Sequence, residues 1–463
     1  MSLYEAVFGG ELPETTAMIS GDLTLTYPQL AERVVDCAAQ LAARGIGQHD
    51  VVGVQLGNGA DFATVFHGVV KLGAIVVPLP LHLRSDERDA MLRSVAASLL
   101  VDETNVREVV RPRGSLPSPA PRISPEQLAC LPFSSGTTGT PKAVMLPHRA
   151  LAANVRQFSQ VLPLQAGETC LSVLPFSHIY GLTALLNVPL AMRARVVAQN
   201  FAKDSFLAAH DRHDVALTFI APPLAAVLAS APAEYKFSSL TTIVSGAAPL
   251  DPALARRAAE RTGARVIQGF GLTESSPVTH LAWRPGTPLE AIGHPLPDTE
   301  ISIRDPHTLA EATEGEMWVR GPQVMAGYLG DPDVSSRTLI DGWLRTGDLV
   351  RENPDGSHTV IDRLKDLIKY HGFQVSPVKL ERIVMTHPEV ADAAVTRGYG
   401  PDGEEQPEAY VVLHSGSEAD QDTIMTAVAT QVARHEQLRK VHFVSHIPRS
   451  AAGKILRRHL TAD

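Results

Sequence analysis

Cysteine is scarce in this chain: Cys37, Cys130 and Cys170 are the only three in 463 residues. They lack metal-knuckle spacing and are too few for a disulfide framework, so they are expected to be small buried side chains in a reducing compartment. A positive excess is also missing. Lys and Arg total 41 against 50 Asp and Glu, a formal net charge of -9, which argues against a nucleic-acid scaffold. Any polyanionic ligand must then be met by locally placed cations and N–H donors. Long hydrophobic runs are absent too, since stretches such as LGAIVVPLPL are short and broken by proline, and the start, MSLYEAVFGGELPE, lacks the basic-then-apolar order of a signal peptide. The expected location is the cytoplasm, with no membrane span.

What is present is ordinary globular material, 44% hydrophobic and 20% charged, with room for roughly two to four domains. YPQLAERVVDCAAQLAARG has a helical apolar period and ends at Gly45; DVVGVQL reads as a strand, FATVFHGVVKLG as a helix and AIVVPLP as another strand. That alternation predicts an α/β fold with a doubly wound parallel sheet. RPRGSLPSPAPRISP, residues 111–125, reads as an exposed connection. From about residue 290 the pattern shifts to strands and turns, with an Asn-Pro-Asp-Gly hairpin between DLVRE and HTVID. DRLKDLIKYHGFQVSP follows, then a charged α+β tail. We expect a domain boundary between Asp362 and Lys365, giving domains 1–362 and 363–463.

One loop stands out chemically. LPFSSGTTGTPKAVML, residues 131–146, sets Ser, Thr, Gly and Lys between apolar runs that read as a strand before and a helix start after. Converging N–H groups, hydroxyls and Lys142 suit phosphate, yet Pro141 stands before Lys142 where the nucleotide-triphosphatase loop requires Gly. Four further stretches are weak singly: LPFSHIYGL, VIQGFGLTESSPV, WLRTGDLV and IPRSAAGKILRR. His210 and His213, three apart on a predicted helix, are expected to be solvated polar residues rather than metal ligands.

Taken in order, SSGTTGTPK, LPFSH, QGFGLTES, RTGD, DRLKDLIKYHGFQV and SAAGKILRR resemble the adenylate-forming enzymes: acyl-CoA ligases, luciferase-like enzymes and peptide-synthetase adenylation domains. The likeness runs from about residue 5 to residue 460, and the nearest local similarity is to 4-coumarate-CoA-ligase-type sequences. It implies a large N-terminal domain of doubly wound α/β subdomains with a small β-barrel-like subdomain, then a mobile α+β C-terminal domain. It also implies two half-reactions. A carboxylate attacks the α-phosphate of ATP, giving acyl-AMP and pyrophosphate; a thiol then takes the acyl group and AMP leaves.

Site roles follow from the resemblance. Ser134, Ser135, Gly136, Thr137, Thr138, Gly139 and Lys142 match the segment that holds the β- and γ-phosphates. Thr273 matches the α-phosphate contact and Glu274 the Mg²⁺ ligand. Gly246, Ala247 and Ala248 with Phe270 match the adenine slot, flanked by Gln268, Gly269 and Gly271. Asp348, with Arg363 beside it, matches the ribose-binding acid. Lys454 matches the adenylation lysine that bridges the incoming carboxylate and the phosphate; Lys365 matches the hinge, Lys369 and Gln374 the contacts to AMP and carboxylate, and Gly372 and Phe373 the thiol tunnel. His178, Tyr180, Ala184, Ser245, Ser275, Pro277 and Val278 complete the acyl pocket, which suits an uncharged aromatic or medium aliphatic acid. Gln268 stands where a malonate-type ligase places a cation. The implied partners are ATP, Mg²⁺ and coenzyme A, with a carrier-protein phosphopantetheine or a non-thioester use of the adenylate as alternatives.

Overall fold

The computed structural model describes residues 1–112, 121–134, 141–400, 403–449 and 455–460. The chain divides into two compact units, one of Met1–Ile301 with Val319–Arg345 and one of Ser302–Trp318 with Thr346–Asp463. The division at Arg345 falls earlier than the boundary expected after Asp362. Strand Trp343–Glu352 returns on His358–Arg363 as an antiparallel hairpin around Asn353, as its Asn-Pro-Asp-Gly turn predicts.

The first unit carries two described sheets with helices between their strands. Among the described residues the larger has nine strands, in the order His294–Pro295, Val278–Leu281, Arg265–Gly271, Thr242–Ser245, Val215–Ile220, Thr169–Ser172, Arg195–Ala198, Thr16–Ser20 and Leu23–Thr26. From Arg265–Gly271 to Thr16–Ser20 the pairing is parallel throughout. Such strands are buried on both faces, and Val215–Ile220, Thr242–Ser245 and Thr169–Ser172 are buried along their whole length. In the second sheet Ile75–Pro78, Val51–Gln55 and Leu99–Asp102 are parallel.

Local chemistry explains where the helices start and stop. Thr26 caps Tyr27–Ala43 by accepting from the Gln29 N–H while the Gln29 side chain accepts from the Thr26 N–H, and the left-handed Gly45 (φ 85°) follows the helix end. The three cysteines are buried, and burial raises the Cys37 and Cys170 thiols to about 12.

One local expectation is overturned. Residues 142–147 begin a strand, Lys142–Pro147, and the helix waits until His148. Phe133 pairs with Ala143 and Ser134 with Lys142, so both ends of the loop belong to one antiparallel ladder. That pairing, joined on the other side by Gly327–Tyr328, settles the conformation against local helical preference.

The second unit builds its core from Ile368, Val375, Leu380, Val395, Val411, Ile424 and Val428, among others. Val390–Tyr399 pairs antiparallel with Glu405–Leu413, which pairs parallel with Lys440–Phe443. Helices Pro377–Val384 and Gln421–Ala429 lie in the same unit. Among the described residues no helix is long and apolar enough to cross a membrane.

Candidate active site

In the first unit the expected nucleotide and acid residues gather at the carboxyl ends of the parallel strands, where open α/β sheets bind ligands. Ser245 ends Thr242–Ser245, and Gly246, Ala247 and Ala248 follow it; Ser245 is also paired in register with Gln268 of the neighbouring strand. Ala247 has a left-handed backbone (φ 71°), a costly choice for a residue with a Cβ and a mark of an over-determined loop. Gly246 is required by packing, because a Cβ there would fall 2.9 Å from Cζ of Tyr180. The Tyr180 phenol lies 3.4 Å from the Val244 carbonyl and its ring edge meets Phe219. Burial raises its pKa, so it stays a neutral donor.

His178 is exposed, and its Nδ1 accepts from the Tyr180 N–H at 3.2 Å. That bond selects the tautomer with hydrogen on Nε2, which makes His178 a donor there. Ala184 is fully buried within Gly181–Asn187, a π-helical turn of the kind that often accompanies functional sites. The Ser245 hydroxyl is sealed from solvent and has no hydrogen-bond partner among the described residues. Gln268 behaves differently from a pocket group. Its amide accepts from the Leu250 N–H at 3.0 Å and donates to the Leu289 carbonyl at 2.5 Å, so it braces the turn after Gly246.

Thr273 and Glu274 lie half-buried in a tight turn, with Ser275, Pro277 and Val278 buried just beyond. Gly271 makes the turn possible, since a Cβ there would fall 2.1 Å from the Pro277 carbonyl oxygen. A set of buried amides holds the far side. Asn154 donates to the Val278 carbonyl at 2.7 Å and accepts from its N–H at 3.0 Å, while Ser276 donates to the Gln323 carbonyl at 2.9 Å. Gln157 and Gln323 join at 3.0 Å, and Thr183 donates to the Ser276 carbonyl at 2.8 Å. A fully partnered buried network rigidifies what it touches. Phe270 meets His280 edge-on, leaving a ring at the strand end.

Lys142 is brought to the same turn by residues 324–331. The Met325 N–H donates to the Glu274 carbonyl, the Tyr328 hydroxyl donates to Glu274 Oε1 at 2.9 Å, and Lys142 pairs with Asp331 at 3.1 Å while lying 5.5 Å from the centre of the Tyr328 ring. The Lys142 ammonium holds the Asp331 carboxyl below its usual range. Glu274 Oε2 makes no hydrogen bond among the described residues. A hard carboxylate oxygen of that sort fits Mg²⁺.

In the second unit Asp348 and Arg363 are cross-strand neighbours. The guanidinium bonds the buried Asp348 carboxylate at 2.7 Å and 3.3 Å, fixing it for bidentate work. The hairpin Ile368–Tyr370 with Phe373–Val375 turns at His371 and Gly372, both left-handed (φ 47° and 82°). Lys365, Lys369, Gly372, Phe373 and Gln374 are exposed, and the Phe373 ring stacks on His435 at 4.2 Å. Ser135, Gly136, Thr137, Thr138, Gly139 and Lys454 lie outside the described residues.

His210 is not solvated as expected. Its Nδ1 bonds the Phe206 carbonyl at 2.9 Å, its ring packs between Phe206 and Phe237, and burial pushes its pKa down to about 4. It is a neutral core residue, and no group of three or more metal-ligating side chains occurs among the described residues. Tyr328, Asp331, Asn154 and Gln323 are contributors that the motifs did not reveal. The signal that was available is the pair Asn154 and Gln157, two amides three apart on an otherwise apolar helix face.

The chain matches the family model described as AMP-binding enzyme over residues 7–329 and that described as AMP-binding enzyme C-terminal domain over residues 379–454. It is 33% identical to 4-coumarate--CoA ligase 2 of Oryza sativa subsp. japonica, over 100% of this chain and 92% of the relative. Among solved structures it resembles ATP-bound MatB from Rhodopseudomonas palustris, with a TM-score of 0.92, 25% identity and coverage of 99% and 98%. It also resembles the amide bond synthetase McbA from Marinactinospora thermotolerans, with a TM-score of 0.87, 29% identity and coverage of 98% of each chain.

Proposed function

This chain belongs to the AMP-binding enzyme family as an AMP-forming acid–CoA ligase, and from that premise we propose that it activates an uncharged aromatic or medium aliphatic carboxylic acid as acyl-AMP and passes the acyl group to coenzyme A. The observation that carries the reading is the assembly of Tyr180, Gly246, Ala247, Phe270, Thr273 and Glu274 at one end of a parallel sheet, with Lys142 drawn to the same turn. Small residues after Ser245 and the Phe270 ring at the neighbouring strand end suit adenine. The buried, neutral residues Ala184, Pro277 and Val278 suit an acid without a second charge, and Gln268, an uncharged amide, offers it no cation.

The first half-reaction joins two anions, so its barrier is lowered by donors and cations already in place. Thr273 offers a hydroxyl toward the α-phosphate and Lys142 a positive charge toward the outer phosphates. Mg²⁺ held at Glu274 would supply shielding of the triphosphate charge. His178, as an Nε2–H donor, is suited to orient the acid's carboxylate. Asp348, locked by Arg363, accepts from the ribose hydroxyls. Lys454 supplies the cation that bridges carboxylate and phosphate, and Lys369 and Gln374 contact AMP and the carboxylate. The Gly372–Phe373 turn serves the thiol step, with Lys365 as the hinge. Two unit charges about 4 Å apart interact by roughly 4 kcal/mol at an effective dielectric near 20, so a few such contacts decide the rate.

A second reading, transfer of the activated acyl group to an amine, is favoured by the likeness to the amide bond synthetase. Pyrophosphate release across a panel of aryl, aliphatic, dicarboxylic and amino acids, each with coenzyme A, with an amine or with neither, separates the readings. The first predicts release with monocarboxylic acids and product only with coenzyme A. Product with amines alone would install the second, and no release with any acid would remove both.

A further inference from the structure

The segment at residues 324–331 grips Glu274 twice, by its backbone and by its side chain. The Met325 N–H fixes the Glu274 carbonyl at 2.9 Å, and three residues on the Tyr328 hydroxyl reaches Oε1 of the same residue at 2.9 Å. Tyr328 has little freedom to move. It pairs with Val144, its N–H donates to Ser335 Oγ at 2.8 Å, and the flanking Ala326 and Leu329 N–H groups donate to the Met145 and Ala143 carbonyls, each at 2.9 Å. We propose that Tyr328 is a positioning residue for Glu274, holding one carboxylate oxygen so that the other meets a divalent cation arriving with ATP. This rests on the reading of Glu274 as the cation ligand.

The chemistry suits that task. Glutamate has three side-chain torsions, and ordering them at the moment of binding costs affinity unless they are fixed beforehand. A phenol does so without adding positive charge that would compete with the cation, which a lysine at the same place would add. Asp331 serves the same end one step away, because it occupies the Lys142 ammonium at 3.1 Å and keeps that charge off Glu274 before phosphate arrives.

The test is ATP binding by titration calorimetry, without any acid, in the presence and absence of Mg²⁺, on the full chain and on Tyr328→Phe. The wild-type chain should bind ATP more tightly with Mg²⁺. In Tyr328→Phe that Mg²⁺-dependent gain should shrink by roughly tenfold, the scale of one hydrogen bond to a charged group, with AMP affinity and the thermal midpoint unchanged. In a Glu274→Gln background the same substitution should add nothing. An undiminished Mg²⁺ gain in Tyr328→Phe overturns the proposal and leaves the Glu274 reading standing. A parallel loss of AMP affinity and midpoint also overturns it, as the mark of a packing role. No Mg²⁺ gain in the wild-type chain removes the Glu274 reading and the proposal with it.

Discussion

The two units position their candidate residues by different physics. In the first, Ser245, Gly271, Ser276 and Val278 are set by strand register, close backbone approach and neutral amides such as Asn154, Gln157 and Gln323. In the second, charge does the positioning. Asp348 is fixed by Arg363; Arg449 is bound to Asp392 at 2.8 Å, and Arg457 is bound to Glu381 at 2.6 Å and to the Val395 carbonyl at 3.0 Å. Neutral buried hydrogen bonds are indifferent to salt and pH, whereas ion pairs respond to both. Positioning in the first unit should therefore be the less sensitive to salt and pH, with the Lys142–Asp331 pair as its charged exception.

Within this comparison the larger effect breaks the first kind of positioning. In Gly271→Ala the new Cβ meets backbone that cannot step aside, so Thr273 and Glu274 shift. Pyrophosphate release should fall by about a hundredfold, as when catalytic groups move by an ångström, and raising salt should not change that ratio. A variant with activity within a few-fold of wild type would show that the turn has slack.

Arg457→Met attacks the second kind. It strands the Glu381 carboxylate in a largely buried place, and chemical denaturation followed by a probe in the second unit should show about 3 kcal/mol of destabilisation above neutral pH. The loss should shrink at acid pH, where Glu381 protonates. A pH-independent loss would mean that the methylene packing of Arg457 matters more than its charge.

Glu381 sharpens the contrast further. Desolvation raises its carboxyl from 4.5 to about 7 despite Arg457 nearby, and Asp362, also raised by burial, adds in the same direction. Between these values the folded chain binds more protons than the unfolded one. The contribution of Glu381 is therefore fully present below about pH 4.5 and is lost as pH rises through 7. Glu381→Gln keeps a group to accept from the Val395 N–H and should flatten that decline in the second unit; an unchanged pH profile would assign it to other groups. The smallest effect is expected at Lys365. Its side chain is exposed, and the Arg397 bond goes to its backbone carbonyl, so Lys365→Ala should leave both half-reactions within about twofold, as for most surface substitutions.

How much of this was legible in the sequence differs between local and distant partners. Phe270–Glu274 and the Asn353 hairpin were readable as turns because small and turn-forming residues follow apolar runs, a local signal of a strand end, whereas Gly246–Ala248 were named only through the family resemblance. The strand at Lys142–Pro147 was not, because its identity comes from pairing with Phe133–Ser134 and with Gly327–Tyr328, the latter nearly two hundred residues on. Tyr328 and Asp331 were invisible for the same reason; Lys142 and Asp331 are 189 positions apart. His210 looked like a surface residue beside Asp211 and Arg212, and only the rings of Phe206 and Phe237 show that it faces inward. Gln268 looked like a pocket group, and its role as a brace depends on carbonyl and N–H partners about twenty residues to either side.

In the proposed reaction, acid activation needs a cation from the C-terminal region that thiol transfer does not. The direct measurement is single-turnover kinetics of Lys454→Ala, with adenylate formation and thiol transfer from preformed adenylate followed separately. The first step should slow by about a hundredfold to a thousandfold, the scale of one preorganised donor, with the second step nearly unchanged. Equal losses in both steps would contradict it.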